Sequence, residues 1–364
     1  MRLLIAPDKF KGSLTGLEVI EAIRSGVKKF DSTIKIDSQL LADGGEGTLE
    51  IIEDTLDVDR IELSVQGPLN ERVNASYLFD GKEAYIEMAK ASGLLLLEKR
   101  DRNPLYTSTY GTGQLIKDAL SRGAQQINLF VGGSATNDAG LGMARALGYE
   151  FYNQRNELLQ GKGSDMGEVH SISNTNVLPI LGHCGFRVLT DVKNSFLGKD
   201  GAAHVYAEQK GANPNQIQSL EKGAEHLASF LSNGYENEKG AGAAGGMGYG
   251  AKTFLNAEIE SGIDFLLELT RMKEKVKSAD LVISGEGSID HQSLEGKVVK
   301  GLYDLCTDLK TPVAMICGRS SFDFFMQSKL YQVITAAQDT EDAMTNAAYY
   351  IKLLTQELLF DFRS

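Results

Sequence analysis

The stretch Ile127–Gly148, INLFVGGSATNDAGLGMARALG, decides how this chain is read. Ile127–Val131 is a short apolar run rich in β-formers, the length of a buried strand. Gly132-Gly133 breaks it at once. Ser134, Thr136, Asn137 and Asp138 follow, all residue types that cap helices. Leu141, Met143, Ala144, Ala146 and Leu147 then read as a buried helix that stops at Gly148. A strand, a glycine turn and a polar helix start leave several backbone N–H groups unpaired and aimed at one point. Those are the makings of an anion site. An ordinary βα turn, with glycines only for tight geometry, fits the same letters.

The same rhythm recurs outward from this stretch. Arg2–Ala6 reads as a strand entering Pro7-Asp8-Lys9-Phe10-Lys11-Gly12-Ser13, with Ser13 or Thr15 as cap for a helix carrying Leu17, Ile20, Ile23 and Val27. Ile34–Leu41 ends in Ala42-Asp43-Gly44-Gly45-Glu46-Gly47-Thr48. Asp280–Ser284 ends in Gly285-Glu286-Gly287-Ser288-Ile289-Asp290, and Pro312–Cys317 in Gly318-Arg319. Tyr331–Ala336 reads as a strand and Asp342–Leu359 as a closing helix. Alternating strands and helices imply a doubly wound parallel sheet.

Other textures interrupt this rhythm twice. Ile61–Val65, Val73–Phe79 and Ala84–Met88 are short strand-like runs separated by Gly67-Pro68 and the hairpin signal Asp80-Gly81. After Gly148 come an irregular polar region, a strand at Phe186–Thr190 leading into Asp191-Val192-Lys193-Asn194, and the Gly/Ala run Ala241–Gly250, which suits a close-packed hinge or a substrate wall. The expected division is a parallel α/β domain from 1–59, 105–150 and 266–364, with a second, discontinuous mixed α/β domain from 60–104 and 151–265. The active site is expected in the cleft between them.

The bulk numbers narrow the function classes. With 364 residues the chain is long enough for two cores. A net charge of -12 argues against nucleic acid or an anionic membrane as partner. No apolar run approaches the ~18 residues of a membrane span. The short apolar start reads as a strand, not a signal peptide, so a cytoplasmic protein is expected. Cys184, Cys306 and Cys317 are widely spaced and form no ligand or disulfide pattern. Oligomeric state is not legible, a homodimer included.

The chemistry lies in the turns that follow the strands. Those starting at Asp43, Gly132, Asp191 and Gly285 are rich in glycine or acidic residues and fall on one edge of a parallel sheet. Converging carboxylates suit Mg²⁺, glycines let backbone N–H groups reach phosphate oxygens, and Lys9 and Lys11 add cations. Together these are parts for phosphoryl transfer. Asp43 and Asp138 also suit helix capping. No Walker A sequence or protein-kinase motif occurs, and Gly285-x-Gly287 ends in Asp290 where a dinucleotide fingerprint needs glycine. The rival classes are an NAD-dependent oxidoreductase of a small hydroxy acid and a non-catalytic small-carboxylate-binding sensor.

Several of these motifs resemble the bacterial type-I glycerate kinase family. They are Ala6–Leu14, Ala42–Thr48, Ile86-Glu87-Met88-Ala89 with Ala91-Ser92-Gly93-Leu94, Gly132–Asp138, Gln209-Lys210-Gly211-Ala212, Gly242–Gly246 and Ser284–Gly287 with Asp290. The resemblance runs in order from residue 1 to about 320. It implies an ATP- and Mg²⁺-dependent kinase of D-glycerate, giving 2-phosphoglycerate or 3-phosphoglycerate, with a flavodoxin- or Rossmann-like domain beside a second α/β domain. The chain departs from the family at Ser288, where Arg is usual, and at Ser195, Glu208 and Ala139.

From residues and resemblance together, Asp191 is the first choice and Asp43 the second for the base that takes the hydroxyl proton. Lys9 or Lys11 meets the glycerate carboxylate. Gly132, Gly133, Ser134, Thr136 and Asn137, with Gly285 and Gly287, hold ATP phosphates. Ser13, Gly44, Gly45 and Lys210 contact the substrate, and Glu286, Asp290 and Asp138 are the metal candidates.

Overall fold

The computed structural model describes residues 1–42, 44, 45, 47–290 and 298–363. The chain forms two compact units, Met1–Asp43 with Ile263–Ser364, and Gly44–Gly262.

In the first unit six strands lie in the order Phe324–Phe325, Ser328–Gln332, Val313–Cys317, Leu281–Ser284, Arg2–Ile5 and Lys35–Ser38. All neighbours are parallel except the first pair. Leu281–Ser284 is buried along its whole length, as a strand covered on both faces must be. One face carries the helices Gly16–Phe30 and Ala347–Arg363, which pack Val19, Ile23 and Val27 with Ile351, Leu354 and Leu358. The other buries Met272, Val276, Leu302 and Cys306. Thr15, not Ser13, caps the first helix, in a reciprocal capping box with Glu18. The expected strand Tyr331–Ala336 is a strand only to Gln332, and Val333–Ala336 is helical.

In the second unit the order is Glu258–Glu260, Gly185–Leu189, Gln126–Phe130, Glu83–Glu87, Arg72–Phe79 and Asp59–Gln66. The first four strands are parallel, and the last two add as an antiparallel meander. One face buries Ile86, Leu115, Ile116, Ile127, Leu129, Val188 and Met247.

The mixed α/β class with parallel sheets stands, but the expected division does not. Gln126–Phe130 belongs to the second sheet, hydrogen-bonded from Glu83↔Gln126 to Glu87↔Phe130 on one side and from Gln126↔Gly185 to Phe130↔Leu189 on the other. The second unit is therefore continuous, and the first is the interrupted one. A fully buried parallel strand has the same apolar run in either sheet, so periodicity alone does not assign it.

Candidate active site

Four parallel strands of the second unit end on one edge, where Glu87, Gly132-Gly133, Asp191 and Ser261 follow one another across the sheet. The Asp191 carboxylate accepts a 2.8 Å hydrogen bond from the Ser261 hydroxyl. Gly44 and Gly45 lie on the same edge. A Cβ on Gly132 would stand 2.6 Å from the Gly45 Cα, and one on Gly44 would stand 3.5 Å from the Leu189 carbonyl. At Gly132 only bare backbone fits this approach, and Gly44 takes the left-handed φ of 75° that favours glycine. Glu87 is buried, and its carboxylate accepts from the Leu49 N–H (3.0 Å) and pairs with Lys90 (3.5 Å). Burial raises its pKa. Glu87 thereby ties down the start of the helix Thr48–Thr55. Asp43, the second candidate base, lies outside the described residues.

The Gly132–Asp138 turn is held from several sides. Leu94 N–H donates to the Gly133 carbonyl (2.8 Å) and Ala135 N–H to that of Ser92 (2.9 Å). Lys210, only 3% exposed, donates to the Ser134 hydroxyl (2.9 Å) and the Thr136 carbonyl (2.7 Å). Burial pulls its pKa down to about 7, and the charge of Asp138 opposes that pull. Both contacts go to the turn, so the structure gives Lys210 the part of a prop beneath it. On the far side the run Ala244, Gly245, Gly246 takes left-handed backbone, and a Cβ on Gly245 would stand 2.1 Å from the Thr136 carbonyl. The Gly/Ala segment is thus a packing surface for the turn, at the start of the helix Ala243–Leu255.

Two expectations for this turn change. The following helix begins only at Leu141, after Gly140 at φ 70°, so the residues from Ser134 to Asn137 do not cap it. The N-cap is Gly140, and Asp138 bonds the start of the helix from two residues before that cap. Its fully buried carboxylate accepts from Thr109 N–H and hydroxyl (both 2.8 Å), Gly140 N–H (3.2 Å) and Gly142 N–H (3.3 Å). Burial nevertheless raises its pKa to about 6. Three of these donors reach Oδ2 and one reaches Oδ1, so the carboxylate, shut away from solvent, is engaged by Thr109 and the backbone around it. Other polar groups of the turn are unpaired. Among the described residues the buried Thr136 Oγ1 and Asn137 Oδ1 have no hydrogen-bond partner. Gly133 is exposed beside them.

The first unit has its own edge. There the Pro7–Ser13 loop, the Gly285–Asp290 turn and Gly318-Arg319 follow three adjacent strands. Asp8 N–H donates to the Gly285 carbonyl (2.9 Å). A Cβ on Gly287 would stand 3.1 Å from the Phe10 Cα, and one on Gly318 would stand 2.4 Å from the Gly287 carbonyl. Lys9 is half-buried, Lys11 exposed and Glu286 buried; Asp290 is half-buried. The Ser13 hydroxyl donates to the Met344 carbonyl (2.6 Å). Ser288 and Arg319 are register partners in a two-stranded parallel ribbon. The four turns therefore do not share one sheet edge: those at Gly132 and Asp191 belong to the second unit, and that at Gly285 to the first.

Glu87, Ser261 and Arg319 were not among the site residues expected from sequence. Glu87 carried a signal, a lone acidic residue ending an apolar run; Ser261 and Arg319 carried none.

The sequence pattern of the glycerate kinase family matches residues 3–362. A glycerate kinase of Halalkalibacterium halodurans is 42% identical over 322 residues, 87% of this chain and 85% of the relative. The glycerate 2-kinase of Escherichia coli is 38% identical over 359 residues, 95% of this chain and 94% of the relative. The crystal structure assigned to glycerate kinase 2 of Salmonella typhimurium LT2 superposes with a TM-score of 0.81 at 35% identity, covering 100% of both chains.

Proposed function

Because this chain belongs to the glycerate kinase family and is a kinase, we propose that it transfers a phosphoryl group from ATP to the 2-hydroxyl of D-glycerate, releasing 2-phosphoglycerate. The observation that carries the reading from geometry is the Gly132–Asn137 turn. It is fixed by buried contacts, yet it holds buried oxygen atoms of Thr136 and Asn137 that nothing in the described protein satisfies. Buried polar atoms are normally paired, and beside the exposed Gly133 the Thr136 hydroxyl is a donor that suits a phosphate oxygen, whereas the Asn137 Oδ1 accepts and suits a ligand hydroxyl.

Asp191 is the base in this reading. It stands at the end of a parallel strand beside the turn, and the Ser261 hydroxyl fixes its orientation. It accepts the hydroxyl proton as the oxygen attacks phosphorus. The Gly132–Asn137 turn of the second unit and, separately, Gly285 and Gly287 of the first are each glycine turns whose backbone N–H groups suit a phosphate. Lys9 and Lys11 answer the negative charge of the reactants. Gly44 and Gly45 bring their loop directly onto the strand ends beside Gly132.

Among the described residues no group of three His, Cys, Asp or Glu side chains is placed to hold a metal ion. Mg²⁺ in a kinase needs only one or two carboxylates beside the nucleotide phosphates, and Glu286 and Asp290 on one turn fit that need. When bound there, Mg²⁺ would neutralise charge on the transferring phosphate. The product assignment leans on the E. coli relative, whose name specifies the 2-position. ADP release coupled to NADH oxidation tests the reading. It predicts turnover that requires both ATP and D-glycerate, and ADP release indifferent to glycerate would refute it.

A further inference from the structure

We propose that Arg319 grips the terminal phosphates of the nucleotide at the Gly285–Asp290 turn; the inference rests on the kinase reading above. Arg319 is exposed, and among the described residues it forms no ion pair. Its backbone is nonetheless held closely. Arg319 N–H donates to the Gly287 carbonyl (3.2 Å), Gly318 N–H to that of Glu286 (3.3 Å), and Ser288 and Arg319 pair in register.

That register sets the direction of the side chain. Paired residues in a ladder project to the same side, and successive residues alternate. Ile289 is fully buried among Val299, Tyr303, Met315 and Phe325, so Ser288 and Arg319 face away from that core. The ribbon continues two parallel strands beyond their carboxyl ends, which is where ligands of open α/β sheets bind.

The neighbours define the ligand's charge. On one side of the glycine turn is the loop with Lys9 and Lys11; on the other is Arg319. The turn between them is bare backbone at Gly285, where a Cβ would stand 1.7 Å from the Ile316 carbonyl, and at Gly287. Cations flanking a glycine turn match the oxygens of a polyphosphate, and a guanidinium offers the two-pronged contact a phosphate accepts. A small hydroxy acid has a single charged group and calls for fewer cations.

The test uses the full chain with Arg319→Met and Arg319→Lys. Calorimetric titration with ATP, ADP and AMP gives nucleotide affinity directly, and initial rates give KM for ATP and for D-glycerate. Arg319→Met should weaken ATP and ADP about 10- to 100-fold, the range for losing a charged hydrogen-bonded pair. AMP affinity and KM for D-glycerate should stay within about twofold, and Arg319→Lys should recover part of the loss. Unaltered ATP affinity in both variants overturns the proposal. So does a defect confined to KM for D-glycerate or to binding of the phosphorylated acid, because the phosphate touched would then belong to the acid. A wild-type chain that binds no nucleotide overturns it as well. If the wild type binds ATP but leaves D-glycerate untouched, the kinase reading fails, and the affinity comparison still decides Arg319.

Discussion

Replacing Lys210 with Met should abolish most activity while changing stability at neutral pH by no more than about 2 kcal/mol. The substitution keeps the length of the side chain and removes its charge. It deletes two charge-assisted hydrogen bonds, to the Ser134 hydroxyl and the Thr136 carbonyl, worth about 1.5–3 kcal/mol each. Against this stands the cost of a buried ammonium. A fall in pKa from 10.5 to about 7 corresponds to about 5 kcal/mol at ~1.4 kcal/mol per unit. The two effects are of one size, so the net change at pH 7 should stay within about 2 kcal/mol.

The turn itself, however, loses its prop. A displacement of ~1 Å at a positioning element can cost about 10²-fold in rate, and kcat should fall by that order. A second signature comes from linkage. Between pH 7 and 10 the unfolded chain keeps the Lys210 proton and the folded chain releases it. Unfolding therefore takes up a proton, and raising the pH favours the folded wild type by up to about 1.4 kcal/mol per pH unit. Urea unfolding at pH 7, 8 and 9, beside initial rates, reads both effects. The wild type should gain on Lys210→Met as pH rises. An identical pH dependence in the two proteins, or a kcat within twofold of wild type, would refute the reasoning.

Other outcomes follow from the same geometry. Asp191→Asn should lower kcat by at least about 10²-fold with thermal unfolding unchanged; a near-normal rate would remove Asp191 as base. Asp138 carries a pKa raised to about 6, so the folded state holds its proton more tightly than the unfolded one between pH 4 and 6, and stability from this group falls as pH rises through 6. The advantage of wild type over Asp138→Asn should therefore grow from pH 7 to pH 5 in thermal melts. Gly245→Ala, at φ 74° with its Cβ 2.1 Å from the Thr136 carbonyl, should destabilise the chain by about 2–3 kcal/mol in denaturant titrations.

The parts of the fold that were legible in the sequence are those carried by local pattern. The Gln126–Phe130 strand, the turn at Gly132 and the hairpin at Gly81 stand close to where their letters place them. Sheet membership was not legible, because the partners of Gln126–Phe130 are fixed by register with Glu83–Glu87 and Gly185–Leu189, distant in the chain. Asp138 has the composition of either a cap or a metal ligand, and the four donors around it, two of them from the distant Thr109, are not visible in the local letters. Lys210 stands among the substrate contacts when read by motif and beneath the turn when read by burial. Arg319 is an unremarkable letter after Gly318 until pairing sets it beside Ser288, the position where the resemblance expects an arginine.

Enolase reads phosphoryl transfer to the 2-hydroxyl of D-glycerate directly. Chain, ATP, Mg²⁺ and D-glycerate are mixed with enolase in the absence of any phosphoglycerate mutase, and absorbance of phosphoenolpyruvate is followed. Phosphoenolpyruvate should form at once, dependent on ATP and lost in Asp191→Asn. Absence of phosphoenolpyruvate until a mutase is added would place the phosphate on the 3-hydroxyl. Absence even then, with no ADP formed, would contradict the account altogether.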